Sequence, residues 1–428
     1  MRGTLSGYEI SHLDALEILD SRGRPTLQVT VSLAGGAAGM AGVPSGASTG
    51  SREAVELRDG DKQRFGGLGV QRAAAGVRGE IANRLCGRLW SGLPEIDEAM
   101  IELDGTPGKA RLGANAIVGV SMACARAMAR SSGQELWEWL APDGVSPRLP
   151  VPHFNVVNGG VHAANPLDFQ EFMIAPLGAR NLPEAVQAGA EIYGTLRGLL
   201  GRQGHATGLG DEGGFAPQLS APEEVLALLV TAIEEAGYVA GRDGVAIALD
   251  PAASEFRRED GRYEVAGELL SSTEMTERYV QMADRFPIWL IEDGLAEDDW
   301  DGWAELTARL GDRLQLVGDD IFVTNPEIIA GAIARGVGNA ALIKLNQVGT
   351  VTQTLAAMQI CRAGGYAQLV SHRSGETTDT FISDLAVSSG CGELKAGAPA
   401  RGERVAKYSR LLEIAAAHPG MSYGLSQR

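Results

Sequence analysis

Basic side chains, aromatic residues and cysteines are all scarce in this 428-residue sequence, and each shortage excludes something. Lys and Arg number 37 against 54 Asp and Glu, a formal net charge of −17. A chain of that sign repels phosphate backbones and anionic lipid headgroups, which argues against nucleic-acid and membrane-surface roles. The four cysteines, Cys86, Cys124, Cys361 and Cys391, lie far apart and form no CxxC pair, as expected of reduced, buried thiols. No apolar run is long enough to span a bilayer, and the opening MRGTLSGYEISHLDALEILDSRG contains no apolar segment of the secretory kind. The expectation is a cytoplasmic protein.

Glycine, by contrast, is plentiful at 57 residues, which suits a fold with many tight turns. Hydrophobic residues make up 44% and charged residues 21%, the composition of a folded globular chain. The length exceeds one ordinary core, so two domains are expected. TLQVTVSLAGG alternates like a strand and runs into a glycine turn, with GMAGVP as its hairpin partner. Helical patterns follow in GVQRAAAGVRGEIANRLCG, PEIDEAMIELDG and GANAIVGVSMACARAMARSSG. The Pro- and Gly-rich LAPDGVSPRLPVP marks a boundary, giving an α+β domain over 1–141 and a second domain over 142–428.

In the second domain short apolar runs alternate with helical segments: VAIALD, IWLIED, LQLVGDD, AALIKLN and AQLVSHRSG. Each ends in a polar group, Asp250, Glu292, Asp319, Lys344 and His372, at steps of 42, 27, 25 and 28 residues. Such steps accommodate a strand, a helix and two loops, so the pattern predicts repeated βα units of a barrel. Barrel chemistry sits at the C-terminal strand ends, and five charged or polar ends in a row point to a site.

Asp250, Glu292 and Asp319 have no obvious basic partners in their own segments, and carboxylates left together repel one another. A divalent cation relieves that repulsion, and all-oxygen ligation points to Mg²⁺ or Mn²⁺ rather than zinc. Lys344 has no acid within four residues on either side. Beside a doubly charged ion its neutral amine is favoured, which makes it a competent base; lysine bases paired with Mg²⁺ are already known. GLGDEGGFAP holds Asp211 and Glu212 in a glycine-rich loop, and GVHAANPLDFQEFMI adds His162, Gln170 and Glu171. SHRSGET supplies His372, Arg373 and Ser374, a guanidinium and a hydroxyl suited to a phosphate. PSGASTG is a small hydroxyl-rich loop able to close over a phosphate or a metal.

Together these segments resemble the enolase family. The likeness rests on EILDSRGRPT, PSGASTGSREAVELRDGD, LGANAIVGVS, GDEGGFAP, LIEDGLAEDDWDGW, VGDDIFVTNP, KLNQVGT, SHRSGET and RVAKYSRLLEI, in that order over nearly the whole chain. The resemblance implies an α/β protein in which an N-terminal α+β domain caps an eight-stranded βα barrel with an antiparallel second strand, in a homodimer. It implies that Asp250, Glu292 and Asp319 bind the tighter Mg²⁺ and that Ser48 joins a second, substrate-borne Mg²⁺. Lys344 would abstract the C2 proton of a 2-phosphoglycerate-like acid, and Glu212, assisted by Glu171, would protonate the departing C3 hydroxyl. Lys395 would hold the substrate carboxylate, and Arg373 and Ser374 its phosphate. His162 and Gln170 would line the pocket with His372, which is counted among the catalytic residues.

Several positions depart from the usual family pattern: Arg24, His153, Pro251, Thr378, Ala396 and Gly402. They raise an alternative, a specialised relative that performs the same elimination on a phosphonate or carboxyphosphonate analogue. A non-catalytic binding or structural protein on the same fold is the alternative from another class.

Overall fold

The computed structural model describes residues 7–47 and 50–425. The N-terminal unit is built on an antiparallel sheet. Strand Tyr8–Leu19 pairs with Pro25–Leu33, which pairs in turn with Ala38–Gly42, and the two-residue strand Leu89–Trp90 borders the first. In Pro25–Leu33 the residues Leu27, Val29, Val31 and Leu33 are buried while Gln28, Thr30 and Ser32 are half-buried, the period of two that the sequence predicts. Helix Ala114–Ser131 lies on the apolar face. Glycine makes that approach possible. A Cβ on Gly39 would sit 2.1 Å from the Ala123 carbonyl oxygen, and one on Gly119 would sit 2.7 Å from Val29 Cγ2.

The second unit is a closed barrel of eight strands. In chain order they are Val151–Asn158, Glu171–Ala175, Ala246–Asp250, Ile288–Glu292, Gln315–Gly318, Ala340–Ile343, Ala367–Ser371 and Glu393–Lys395. The second strand runs antiparallel to both neighbours, and every other pairing in the ring is parallel. A parallel sheet covered by helices is buried on both faces, which explains continuous apolar runs rather than alternation.

The period of two nevertheless sorts each run between two cores. Ala246, Ala248, Leu290, Val317, Ala340, Leu342 and Leu369 join Met173, Ala175 and Trp289 in a cluster inside the ring. Their alternates, Ile247, Leu249, Ile343 and Val370, belong to the main core beneath the helices. Two residues beyond the last apolar lumen position, four of the strands reach the mouth of the barrel with Asp250, Glu292, Asp319 or Lys344, and Arg373 follows Leu369 four residues on. In the reversed second strand the first residue does this instead: Glu171 is level with Asp250, and Met173 with Ala248. Among the described residues no helix is long and apolar enough to cross a membrane. Cys124, Cys361 and Cys391 are buried, Cys86 is half-buried, and all four are free thiols.

Candidate active site

The charged mouth of the barrel is a buried network. Lys395 Nζ, from the last strand, donates to both oxygens of Glu292 at 2.8 Å, to Glu171 Oε2 at 3.1 Å and to Asp250 Oδ2 at 3.3 Å. Lys344 Nζ donates to Asp319 Oδ2, and Gln347 Nε2 donates to Asp319 Oδ1 at 2.7 Å. The sequence reading left the three acids without basic partners; the barrel supplies two ammonium groups from the sixth and eighth strands. These contacts span 25 to 224 residues, too far for any local pattern to announce.

The charges do not balance. Burial pushes the Glu292 carboxyl well above its usual range and repulsion from Asp250 pushes the same way, with Lys395 offsetting only part. Burial also works against the Lys395 ammonium, but Glu171, Glu292 and Asp250 outweigh it and hold its pKa well above the ordinary value. Lys344 is likewise raised, because Asp319 outweighs burial. In this arrangement Lys344 keeps its proton for Asp319; the neutral amine expected from the sequence belongs to the site with a cation beside it. One ammonium among three buried carboxylates under-compensates them, and the donors are all hard oxygens. That donor set fits a divalent cation.

Two groups of side chains already bring their ligand atoms within 4.8 Å of one another: His162 with Glu171 and Glu212, and Asp293 with Asp319 and Asp320. Asp250, Glu292 and Asp319 are not gathered so tightly, with Lys395 joined to the first two and Lys344 to the third. Asp293 was not singled out in the sequence, and its part is structural. Its two oxygens accept the backbone N–H groups of Asp319 and Asp320, both at 2.8 Å, which sets the turn that presents Asp319.

Glu212 reaches the mouth on the glycine-rich loop. Gly213 takes φ +88°, and a Cβ on Gly214 would meet Asn158 Oδ1 at 2.7 Å, so only glycine lets the loop pack against the first strand. Asn155 Nδ2 donates to Glu212 Oε2 at 2.8 Å, and His372 Nε2 lies 3.4 Å from the same oxygen. His162 Nδ1 is 3.6 Å from Glu212 Oε1 and 3.9 Å from Glu171 Oε1. Burial drives both imidazoles toward the neutral form, His372 to about 3. Neutral rings bring Glu212 no full charge, and at 3.6 and 3.4 Å these two nitrogens stand beside its oxygens without closing a hydrogen bond. Burial opposes the Glu212 carboxylate, but the two histidines and the nearby Arg404 hold its carboxyl well below the usual range. Glu171 is pushed well above its range, by burial first and by Glu212 second. Two adjacent carboxyls driven apart in this way titrate as a pair, and the directions favour Glu171 as the holder of a shared proton.

Arg373 is also occupied. Its Nη1 donates to Glu53 Oε2 at 2.9 Å and to Asn346 Oδ1 at 3.1 Å, and its Nη2 donates to Glu53 Oε1 at 3.1 Å. Ser374 Oγ accepts from Arg22 Nη1 at 3.1 Å. A cavity of about 370 Å³ lined by Pro44, Gly50, Glu53, Asn346 and Arg373 opens beside this cluster. Gln170 is buried, its backbone N–H donating to the Asp250 carbonyl at 3.1 Å. Ser48 lies outside the described residues.

Sequence reasoning missed Arg22, Glu53, Asn155, Gln347 and Arg404. Arg22 and Glu53 stand within EILDSRGRPT and PSGASTGSREAVELRDGD, segments whose order carried the family likeness but whose acids and bases were not read for chemistry. Asn155 had no such signal, being one polar residue in an apolar strand. Of the departures from the family pattern, Arg24, Thr378 and Gly402 are exposed, while His153, Pro251 and Ala396 are buried. The exposed ones give a phosphonate substrate no structural basis.

Comparison with known proteins agrees with this arrangement. Residues 10–140 match the family described as enolase, N-terminal domain, and residues 146–420 match enolase, C-terminal TIM barrel domain. The enolase of Rubrobacter xylanophilus (strain DSM 9941 / JCM 11954 / NBRC 16129 / PRD-1) is 55% identical over 421 residues, covering 96% of this chain and 97% of that one. The barrel with one reversed strand, the acid and lysine mouth and this likeness along both domains agree: the chain belongs to the enolase family, the hydro-lyases that dehydrate 2-phosphoglycerate to phosphoenolpyruvate.

Proposed function

We propose that Lys344 is the base and the Glu212/Glu171 pair the acid of this dehydration. The observation that carries the division is the ring order. Lys344 follows the sixth strand and Glu171 opens the second, and in a closed ring of eight those strands face each other across the mouth. A substrate held between them loses its C2 proton on one side and its C3 hydroxyl on the other. The C2–H electron pair becomes the C2–C3 double bond, the C3–O bond breaks, and the hydroxyl leaves as water with a proton from Glu212, which Glu171 holds in the resting site.

Asp250, Glu292 and Asp319 are the residues to hold Mg²⁺, with Ser48 for a second Mg²⁺ that arrives with the substrate. Bound there, the ions supply Lewis-acid stabilisation of the charge that develops on the substrate carboxylate. With a cation on those acids, Lys395 would be free for the substrate carboxylate and Lys344 would no longer be held protonated by Asp319. Arg373 exchanges Glu53 for the substrate phosphate, a comparable bidentate partner, with Ser374 as a second contact. His162, Gln170 and His372 close the pocket around the acid pair. The cytoplasm and a homodimer are the setting that family membership supports, and light scattering on the purified protein tests the assembly.

The test of the division is solvent exchange. Glu212→Gln is expected to keep exchange of the C2 proton with solvent while losing hydroxyl departure, followed as phosphoenolpyruvate absorbance. Equal loss of both would overturn it.

A further inference from the structure

Arg404, on the helix Gly402–Ala417, is fully buried and has entered so far only as a positive charge near Glu212. It stands directly behind His372. Its Nη1 meets His372 Nδ1 and also donates to the Arg373 carbonyl at 2.7 Å. Its Nη2 donates to the Ser374 carbonyl at 2.6 Å and to the Asp211 carbonyl at 3.2 Å. One guanidinium thus ties together the turn that carries His372 and the loop that carries Glu212.

A guanidinium can only donate, and it does not lose its proton in a protein. The imidazole nitrogen that faces it must therefore be an acceptor. If Nδ1 accepts, the neutral ring carries its hydrogen on Nε2, and Nε2 is the atom 3.4 Å from Glu212 Oε2. A protonated ring would turn Nδ1 into a donor aimed at a donor. Burial is the main influence against a charged His372; among charged groups Glu212 favours the cation, and Arg404 and Lys395 oppose it.

We propose that Arg404 is a positioning residue that locks His372 in the Nε2–H tautomer. His372 then turns its Nε2–H toward Glu212 and does not compete with it for the proton. Burial disfavours the charged ring but does not choose between its two nitrogens; the guanidinium facing Nδ1 makes that choice. Without Arg404 either ring nitrogen can carry the hydrogen, the ring can charge, and Glu212 loses its fixed donor. The consequence for turnover rests on the reading of Glu212 as the acid. The tautomer does not depend on that reading.

The test is long-range ¹⁵N–¹H correlation on the full-length protein with ¹⁵N-labelled histidine, in saturating Mg²⁺, with the His372 signal assigned by its loss in His372→Gln. The expected result for the unsubstituted chain is a bare Nδ1 and a protonated Nε2, unchanged between about pH 5 and about pH 8, the range in which a free histidine titrates. A protonated Nδ1, or a ring that charges within that range, overturns the proposal even if no Arg404 variant folds. Arg404→Met is expected to give mixed tautomers or a titrating ring, and to slow hydroxyl loss by at least about ten-fold while C2 exchange changes far less. Arg404→Lys, which keeps a donor, is expected to recover part of both signals. An Arg404→Met protein with the single Nε2–H tautomer intact also overturns the proposal. If the tautomer shifts as expected but exchange and dehydration fall together, the lock stands and the assignment of Glu212 as the acid fails.

Discussion

The floor and the mouth of the barrel lumen come from the same strands, one β period apart, and they are opposites. On the floor Ala246, Ala248, Leu290, Val317, Ala340, Leu342 and Leu369 fill the ring with apolar side chains. Two residues further on, Asp250, Glu292 and Asp319 are buried acids and Lys344 a half-buried base, and Arg373, four residues past Leu369, is buried as well. Desolvating those charges is unfavourable, and their mutual pairing repays it only in part, as the raised Glu292 carboxyl records. The floor contributes stability and no chemistry, and the mouth contributes chemistry at a cost in stability. A fold can carry so strained a mouth because the layer directly beneath it is dry and close-packed.

The sharpest way to break this contrast is Lys344→Ala. Removing a general base is expected to lower both phosphoenolpyruvate formation and C2 exchange by about 10²–10⁴-fold. Urea midpoints in saturating Mg²⁺ are expected to move by less than about 1 kcal/mol, since no packed apolar volume is lost. A large stability loss with exchange intact would reverse the assignment of the two layers.

Leu342→Ala, two residues earlier on the same strand, is the mirror experiment. A buried leucine truncated in a packed layer costs about 2–5 kcal/mol in urea unfolding. In the cold, where the variant stays folded, kcat/KM is expected to remain within a few-fold of the parent. A catalytic collapse at unchanged stability would show that the floor takes part in the chemistry.

Removing the metal tests whether the mouth owes its tolerance of charge to a cation. Exhaustive chelation is expected to abolish turnover and lower Tm, and Mg²⁺ at 100 times its Kd to restore about 2.7 kcal/mol. Equal activity and Tm with and without chelator would remove Mg²⁺ from the site.

The smallest effect sharpens the contrast from outside the lumen. Asp97, in helix Leu93–Asp104, is a buried acid that leans on hydroxyls: its Oδ2 accepts from Thr352 Oγ1 at 2.6 Å and from the Thr352 N–H at 3.0 Å. Burial lifts its carboxyl from 3.8 to about 6, against the pull of Thr352 and Ser121. Between those values the folded chain holds a proton that the unfolded chain has released, so this group's contribution to stability falls as pH rises from about 4 to about 6 and stays low above that. Asp97→Asn is expected to remove that fall and to gain on the order of 1–3 kcal/mol at pH 7. Identical urea midpoints for the two proteins across that range would refute it.

How much of the mouth was legible in sequence depends on the kind of residue. Asp250, Glu292, Asp319 and Lys344 could be read because each closes an apolar run at regular spacing, and a strand of fixed period must deliver that residue to the end of the sheet. The glycine-rich loop around Glu212 was legible as a tight turn, but the role of Glu212 was named by likeness. Lys395 was named by likeness alone, and its place among Glu171, Asp250 and Glu292 has no trace in its neighbours. The charge of Lys344 is not local either: in this arrangement it is set by Asp319, 25 residues away.

The sequence by itself determined the two domains' secondary structure, the period that divides each barrel strand between two cores, and the identity of the groups at the strand ends. These are local properties, set by side-chain alternation and turn chemistry within a dozen residues. Only the tertiary structure decided the partners. Closure of the ring set the second strand against the sixth, brought Glu53 to Arg373 across 320 residues and placed Arg404 behind His372. A hydrogen bond requires a few ångströms and a direction, and a buried charge takes its protonation from whatever stands within that reach. Such distances are fixed by how the chain closes on itself and not by its order.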